Sequence, residues 1–240
     1  MAYHGAMGGD LHPARGTRGL RADAVRNRAA IIEAAREVFA EHGLEASLEE
    51  IACRAGVGIA TLYRRFPGRE QLIAAALVDK VAEYADAAAE ALAFADPWAG
   101  FAGYVYRICE LQAADRGLSD LLAMALPADE HIEEMRAAAN ARVIELIDRT
   151  KAAGKLREEF VGEDLLLLLI ASAAVGQIMR EDAPGAWRRF VALALDAFQR
   201  HDSCLPVPPS TAQVHQAMRR LAASRGCSGV VAERGPGIGP

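Results

Sequence analysis

Strand signals are missing from this sequence. No segment sustains the alternation of β-branched and aromatic residues with the rest that a half-buried strand needs. Aromatics are scarce at 6%, against an apolar share of 52% that is mostly alanine and leucine. Those two residues lead the helix propensity scale, so an all-α fold is expected. Long apolar runs are missing too. The longest, LLLLLIASAAVG at 165–176, has 12 residues, where a membrane span needs about 20. It reads as a helix buried on several sides. The opening MAYHGAMGGD has no apolar core of the kind a secretory leader carries. Cysteine is sparse: Cys53, Cys109, Cys204 and Cys227 are far apart, without a CxxC. That excludes a disulfide scaffold and a zinc ribbon and suits a reducing cytoplasm. Histidines 4, 12, 42, 131, 201 and 215 are scattered. They form no nucleophile–base pair and no metal spacing, and His131 with Glu134 reads as part of a solvated face. An enzyme, a metal and a cofactor are therefore not expected.

Overall basicity is also lacking, because the 240-residue chain carries a net charge of −5. The charge is uneven, however. Residues 11–28 hold Arg15, Arg18, Arg21, Arg26 and Arg28 against one acid, Asp23. Residues 1–71 are net +1 and residues 72–240 net −6. A basic end on an acidic body points to a polyanion at that end.

What is present is a string of helical patterns. Residues 1–22, rich in Gly and Arg, read as a flexible arm, and residues 205–240 as a disordered tail, with a short helix possible at 211–224. A first helix is expected at 23–42, with Ile31, Ala35, Val38 and Phe39 inward and Gly43 as its C-cap. Ser47 and Glu50 have the spacing of a capping box opening a second helix, which Gly56 closes. A third spans 59–66 before Pro67-Gly68, and a long fourth spans 69–95. Five more follow near 98–115, 118–125, 128–153, 162–181 and 184–200. Residues 23–70 then form one unit and 71–204 a second.

Two short helices joined by a glycine turn and packed on a third make a helix-turn-helix. In the second of the pair, Val57, Leu62 and Phe66 point inward. Ile59, Ala60 and Tyr63 share the outer face, flanked by Thr61, Arg64 and Arg65. Gly58 and Ala60 keep the leading end slim enough for a major groove. Hydroxyls and arginines suit phosphate oxygens, and Ile59 and Ala60 suit thymine methyls. Arg69, opening the fourth helix, adds a cation beside free helix N–H groups.

The ordered set from Ala34 to Leu77 resembles the N-terminal domain of the tetracycline-repressor (TetR) family of bacterial regulators. Its elements are Ala34-Ala35 before Phe39, Gly43, Ser47, Ile51-Ala52, Ala55-Gly56-Val57, Thr61-Leu62-Tyr63, Phe66 and Leu72. The resemblance implies a dimeric, all-helical repressor of about nine helices. The first three would bind a double-stranded DNA operator, and the rest a small-molecule effector and the partner subunit. It also implies phosphate contacts from Thr61, Tyr63 and Arg69, a DNA-binding position at the helix start for Ser47, and groove-facing positions at Ile59 and Ala60. Gly58 departs from the family's usual serine, and Glu49 sits where some relatives place a base that reads DNA.

For the effector, apolar walls with a few polar anchors are needed. The candidates are Trp98, Phe101, Tyr104, Arg107, Leu111, Leu122, Met124, Met135 and Gln177. Arg107 among aromatics invites an anionic group, or pairs with Glu110 or Asp115. The last two long helices are expected to dimerise through Leu169, Ala173, Gly176, Trp187, Phe190 and Phe198, and no membrane partner is expected. Two other readings stay open: a redox sensor using Cys53 or Cys109, although both fall in helical patterns that suggest burial, and a DNA-binding protein that needs no effector.

Overall fold

The computed structural model describes residues 15–123, 130–199, 205–214, 216–217 and 220. Among these, nine helices and no strand are found: α1 (Arg15–His42), α2 (Leu48–Arg54), α3 (Ile59–Arg65), α4 (Arg69–Leu92), α5 (Pro97–Ala114), α6 (Arg116–Ala123), α7 (Glu130–Ala152), α8 (Gly162–Ile178) and α9 (Ala186–Phe198). The expected helix boundaries hold within a few residues, with one exception. The first helix starts at Arg15, so residues 15–22 are helical rather than a flexible arm. The rest of that arm lies outside the described residues.

Helices α1 to α3 form a head around a shared core. Ile31, Ala35, Val38 and Phe39 are fully buried, together with Ile51 and Leu62. Leu62 is the one buried residue of α3. A buried leucine contributes about 1.5–3 kcal/mol, so it anchors a helix whose other side chains are exposed or half-buried. Gly43 (φ 82°) and Gly56 (φ 66°) turn the chain through the left-handed region that glycine tolerates best. Ser47 caps α2, its Oγ accepting from the Glu49 and Glu50 N–H groups. The reciprocal half of the box does not form. The Glu50 carboxylate turns instead to Arg54 and His42. Arg54 also forks onto Glu41 at 2.9 and 3.0 Å, fastening α2 to α1. The Arg28 guanidinium lies 5.1 Å from the Phe66 ring centroid, fastening α1 to the end of α3.

The body is built around α4 and α5. Helix α4, about 36 Å long at 1.5 Å per residue, runs along α7 and also meets α1 and α5. Helix α5 is covered by α4, α7, α8 and α9. Phe101 of α5 meets Phe160 edge-on at 5.7 Å, and Phe160 meets Phe198 at 4.8 Å. Arg149 of α7 donates to the Leu92 and Phe94 carbonyls. It thereby satisfies groups that the end of α4 leaves unpaired.

Residues 205–210 are irregular and mostly exposed, and the short helix expected from Thr211 begins there. Ser210 and Gln213 form a reciprocal cap: the Ser210 N–H donates to Gln213 Oε1 at 2.8 Å, and the Gln213 N–H to Ser210 Oγ at 3.3 Å. The helical turn at 211–214 that they start buries Val214, and the Thr211 hydroxyl donates to Glu163 of α8.

Gly100 sets how closely α5 approaches the end of α4. A Cβ there would fall 2.4 Å from the Ala91 carbonyl oxygen. Gly100→Ala is expected to destabilise the fold by about 1–3 kcal/mol, the usual cost of overpacking. Urea denaturation of the two chains measures it, and equal midpoints would contradict this account of the contact.

Candidate nucleic-acid interface and interior cavity

The outer face of α3 is open. Gly58, Ala60, Tyr63, Arg64 and Arg65 are exposed, and Thr61 is half-buried. Tyr63 shows 48% of its surface, a large value for an aromatic on a helix held by a single buried leucine. Arg64 donates to Thr61 Oγ1 at 2.8 Å, so hydroxyl and cation stand together on one side of the helix. Gly58 is the N-cap of α3 and offers no side-chain cap. The first N–H groups of the helix therefore lack a side-chain acceptor from the cap position. A Cβ at Gly58 would meet nothing within 4 Å, so internal packing does not require glycine there.

Three expected DNA residues are placed differently. Ile59 is half-buried and packs on the core, so it is not wholly on the outer face. Ser47 is exposed, but its hydroxyl is occupied: it accepts at the α2 cap and donates to Glu49 at 2.7 Å. That bond holds the Glu49 carboxyl below its usual range. Arg69 turns inward rather than out to phosphate. Its Nη1 donates to the Leu44 carbonyl at 2.8 Å and the Ala46 carbonyl at 2.7 Å. The Leu44 N–H in turn donates to Asp120 of α6 at 3.0 Å. Sequence spacing could not reveal this, because it joins residues 23 to 76 positions apart.

A cavity of about 320 Å³ lies in the body between α4, α7, α8 and the turn at 211–214. Tyr84 contributes from α4, and Asn140, Val143 and Ile144 from α7. Gly162, Glu163, Leu165, Leu166 and Leu169 contribute from α8, and Thr211 and Val214 close one side. Among the described residues, none of the effector candidates lines it. Phe101, Tyr104 and Leu111 are buried in the core, and Trp98 and Met135 pack against it half-buried. Gln177 is half-buried on α8. Arg107 is exposed and paired with Glu83 at 2.5 Å and Glu110 at 3.6 Å. The Leu122 side chain and Met124 lie outside the described residues. Tyr104 comes nearest, since its ring meets Tyr84 edge-on at 6.1 Å behind the cavity wall. Burial, with the Tyr84 phenol beside it, pushes the Tyr104 phenol well above its usual range.

The expected dimer face is largely inverted. Leu169 and Trp187 are buried within the subunit, Phe190 and Phe198 pack on its core, and Gly176 faces Ala113 of α5. Ala173 is half-buried. The apolar side chains left exposed are others: Leu167 (44%), Ile178 (76%) and Met179 (42%) on or just after α8, and Leu193 (60%) on α9. The two cysteines differ as well. Cys109 is buried and its thiol is pushed up to about 11, mainly by desolvation, so it is not a reactive thiolate at neutral pH. Cys53 is exposed, contrary to expectation.

The family model for bacterial regulatory proteins of the tetR family matches residues 31–76. The model for SbtR-like transcriptional regulators, C-terminal domain, matches residues 96–199. The chain is 34% identical to the TetR transcriptional regulator SCO0520 from Streptomyces coelicolor, over 72% of this chain and 98% of that one, with a TM-score of 0.48. It is 32% identical to a TetR transcription regulatory protein from Mycobacterium vanbaalenii, over 75% and 99% of the two chains, with a TM-score of 0.44. Comparison with proteins of curated function gives no match.

The Arg69 contacts generate a prediction. Arg69→Ala removes a charged donor from two loop carbonyls and is expected to cost about 1–3 kcal/mol of stability. Tyr63→Ala, on the open face, stays within about 0.5 kcal/mol. Denaturant melts of both variants decide it. Equal stability of R69A and the parent would return Arg69 to a surface role.

Proposed function

The chain belongs to the TetR family of bacterial regulatory proteins, and on that premise we propose that it is a homodimeric repressor released from its operator by a small molecule. It is a DNA-binding regulator, and no described helix is long and apolar enough to cross a membrane. The observation that carries the reading is the outer face of α3. Ala60 leaves room at its leading end, while Tyr63, Arg64 and Arg65 stand exposed where phosphates border a groove. The exposed arginines supply charge, and the slim front lets the helix seat deeply.

A second copy of the chain supplies the second half-site. Leu167, Ala174 and Ile178 follow helical spacing on the exposed side of α8, and Leu193 is exposed on α9. This unpartnered apolar stripe is suited to the same stripe of a twofold-related subunit. The cavity favours an effector-responsive regulator over one without an effector. A ligand wedged between α4 and α7–α8 would move α4, whose first residue, Arg69, holds the loop that leads into α2. The two heads would then change their separation, and coupling through one element is reciprocal: operator DNA must weaken effector binding by the same factor.

Two measurements test this reading. Selection from a random DNA pool is expected to enrich an inverted repeat whose half-sites lie about one helical turn or a multiple apart. In that complex, Arg65→Ala lowers the salt slope by about 1 per half-site. Equal affinity for selected and random DNA would sink the specific-regulator reading. In sedimentation, Ile178→Glu combined with Leu193→Glu is expected to turn the dimer into monomers while helicity is retained. A dimer that survives both charges places the interface elsewhere.

A further inference from the structure

We propose that the cavity between α4, α7 and α8 selects a compact apolar molecule that is neutral or cationic and carries a hydrogen-bond donor, with Glu163 as its polar anchor. This rests on the reading of the cavity as the effector site. At about 320 Å³ it is at the small end of ligand pockets. Its walls are apolar on three sides: Val143 and Ile144 on α7, Leu165 and Leu169 on α8, and Val214 on the closing turn.

Among the described lining residues none is basic, and Glu163 is the one carboxylate. Arg136 acts on the Tyr84 phenol through space but is not part of the lining. An anionic ligand would set a second negative charge beside Glu163 in a partly desolvated site, and such like-charge pairs are unfavourable. The positive end of α8 does not rescue it. Glu163 and Asp164 already occupy the first turn, and Asp164 accepts from the Val161 N–H at 2.9 Å. A donor is received well, as the Thr211 hydroxyl demonstrates by donating to Glu163 at the rim. Burial raises the Tyr84 phenol above its usual range, so it stays neutral and adds no charge.

Part of this selectivity comes from outside the region that matches the regulatory-domain model, which ends at residue 199. Thr211 and Val214 reach the cavity because Ser210 and Gln213 fix the start of their turn. The segment is therefore a wall of the site.

A head-group series on one ring tests the proposal: 2-naphthol, 2-(aminomethyl)naphthalene and 2-naphthoate, titrated calorimetrically into the full chain. The alcohol and the amine are expected to bind at least about tenfold more tightly than the carboxylate, the ratio that 1.4 kcal/mol produces. Glu163→Gln should bring the three to comparable affinity. Leu166→Trp, which fills the cavity from a half-buried wall, should remove all three. Naphthoate binding as well as the amine, a preference that survives Glu163→Gln, or no binding by any probe would each overturn the proposal. Affinity for the selected DNA is read in parallel. If the amine binds as expected and leaves that affinity unchanged, the selectivity stands and the effector role of the cavity falls.

Discussion

The structure depends on how the loop around two buried residues, Leu44 and Ala46, has its backbone groups satisfied. Leu44 is 1% exposed, so its backbone groups need partners within the protein. They find them on two different helices of the body. Asp120 of α6 accepts from the Leu44 N–H, and Arg69 of α4 donates to the Leu44 and Ala46 carbonyls. Gly43 just before it has positive φ, and a Cβ there would fall 2.5 Å from an Asp120 carboxylate oxygen. Ser47 just after it caps α2. The corner between the first two helices of the head is thus held by the body, and the orientation of α3 follows from that hold.

The same contact explains why Arg69 departs from its expected role. A cation at a helix start is a good phosphate ligand in isolation. Here, two carbonyls on a neighbouring loop offer it charge-assisted bonds inside the protein. Other arginines behave alike: Arg149 caps α4, Arg54 forks onto Glu41 and Arg28 lies over Phe66. An arginine-rich head is therefore not a measure of its DNA surface. The arginines left on the open face of α3 are Arg64 and Arg65.

The regulatory half shows where composition misleads. The run at 165–176 is apolar on every side, so period alone cannot say which side meets the subunit and which a partner. Leu165, Leu168 and Leu169 turn inward, while Leu167 remains outside. In α9, Trp187, Phe190 and Phe198 share one face, the one expected to meet a partner subunit. The structure gives that face to the subunit's own core and leaves Leu193 exposed. The cavity was illegible for a different reason. Its walls come from four segments between residues 84 and 214, and no local pattern marks a space that forms where packing stops.

By itself the sequence determined what depends on neighbours along the chain. The helical class, the helices α1 to α9, the glycine turns at 43 and 56, the Ser47 cap and the inward set of the head all follow from propensity, period and capping. These are interactions spanning a few residues, and the ordered motif from Ala34 to Leu77 carried the family with them. Only the tertiary structure decided what each face and each charge does. Arg69 is a brace, Arg107 pairs with Glu83, Trp187 is core, and the turn at 211–214 is a cavity wall. Those outcomes are set by which buried polar groups and apolar surfaces meet across tens of residues.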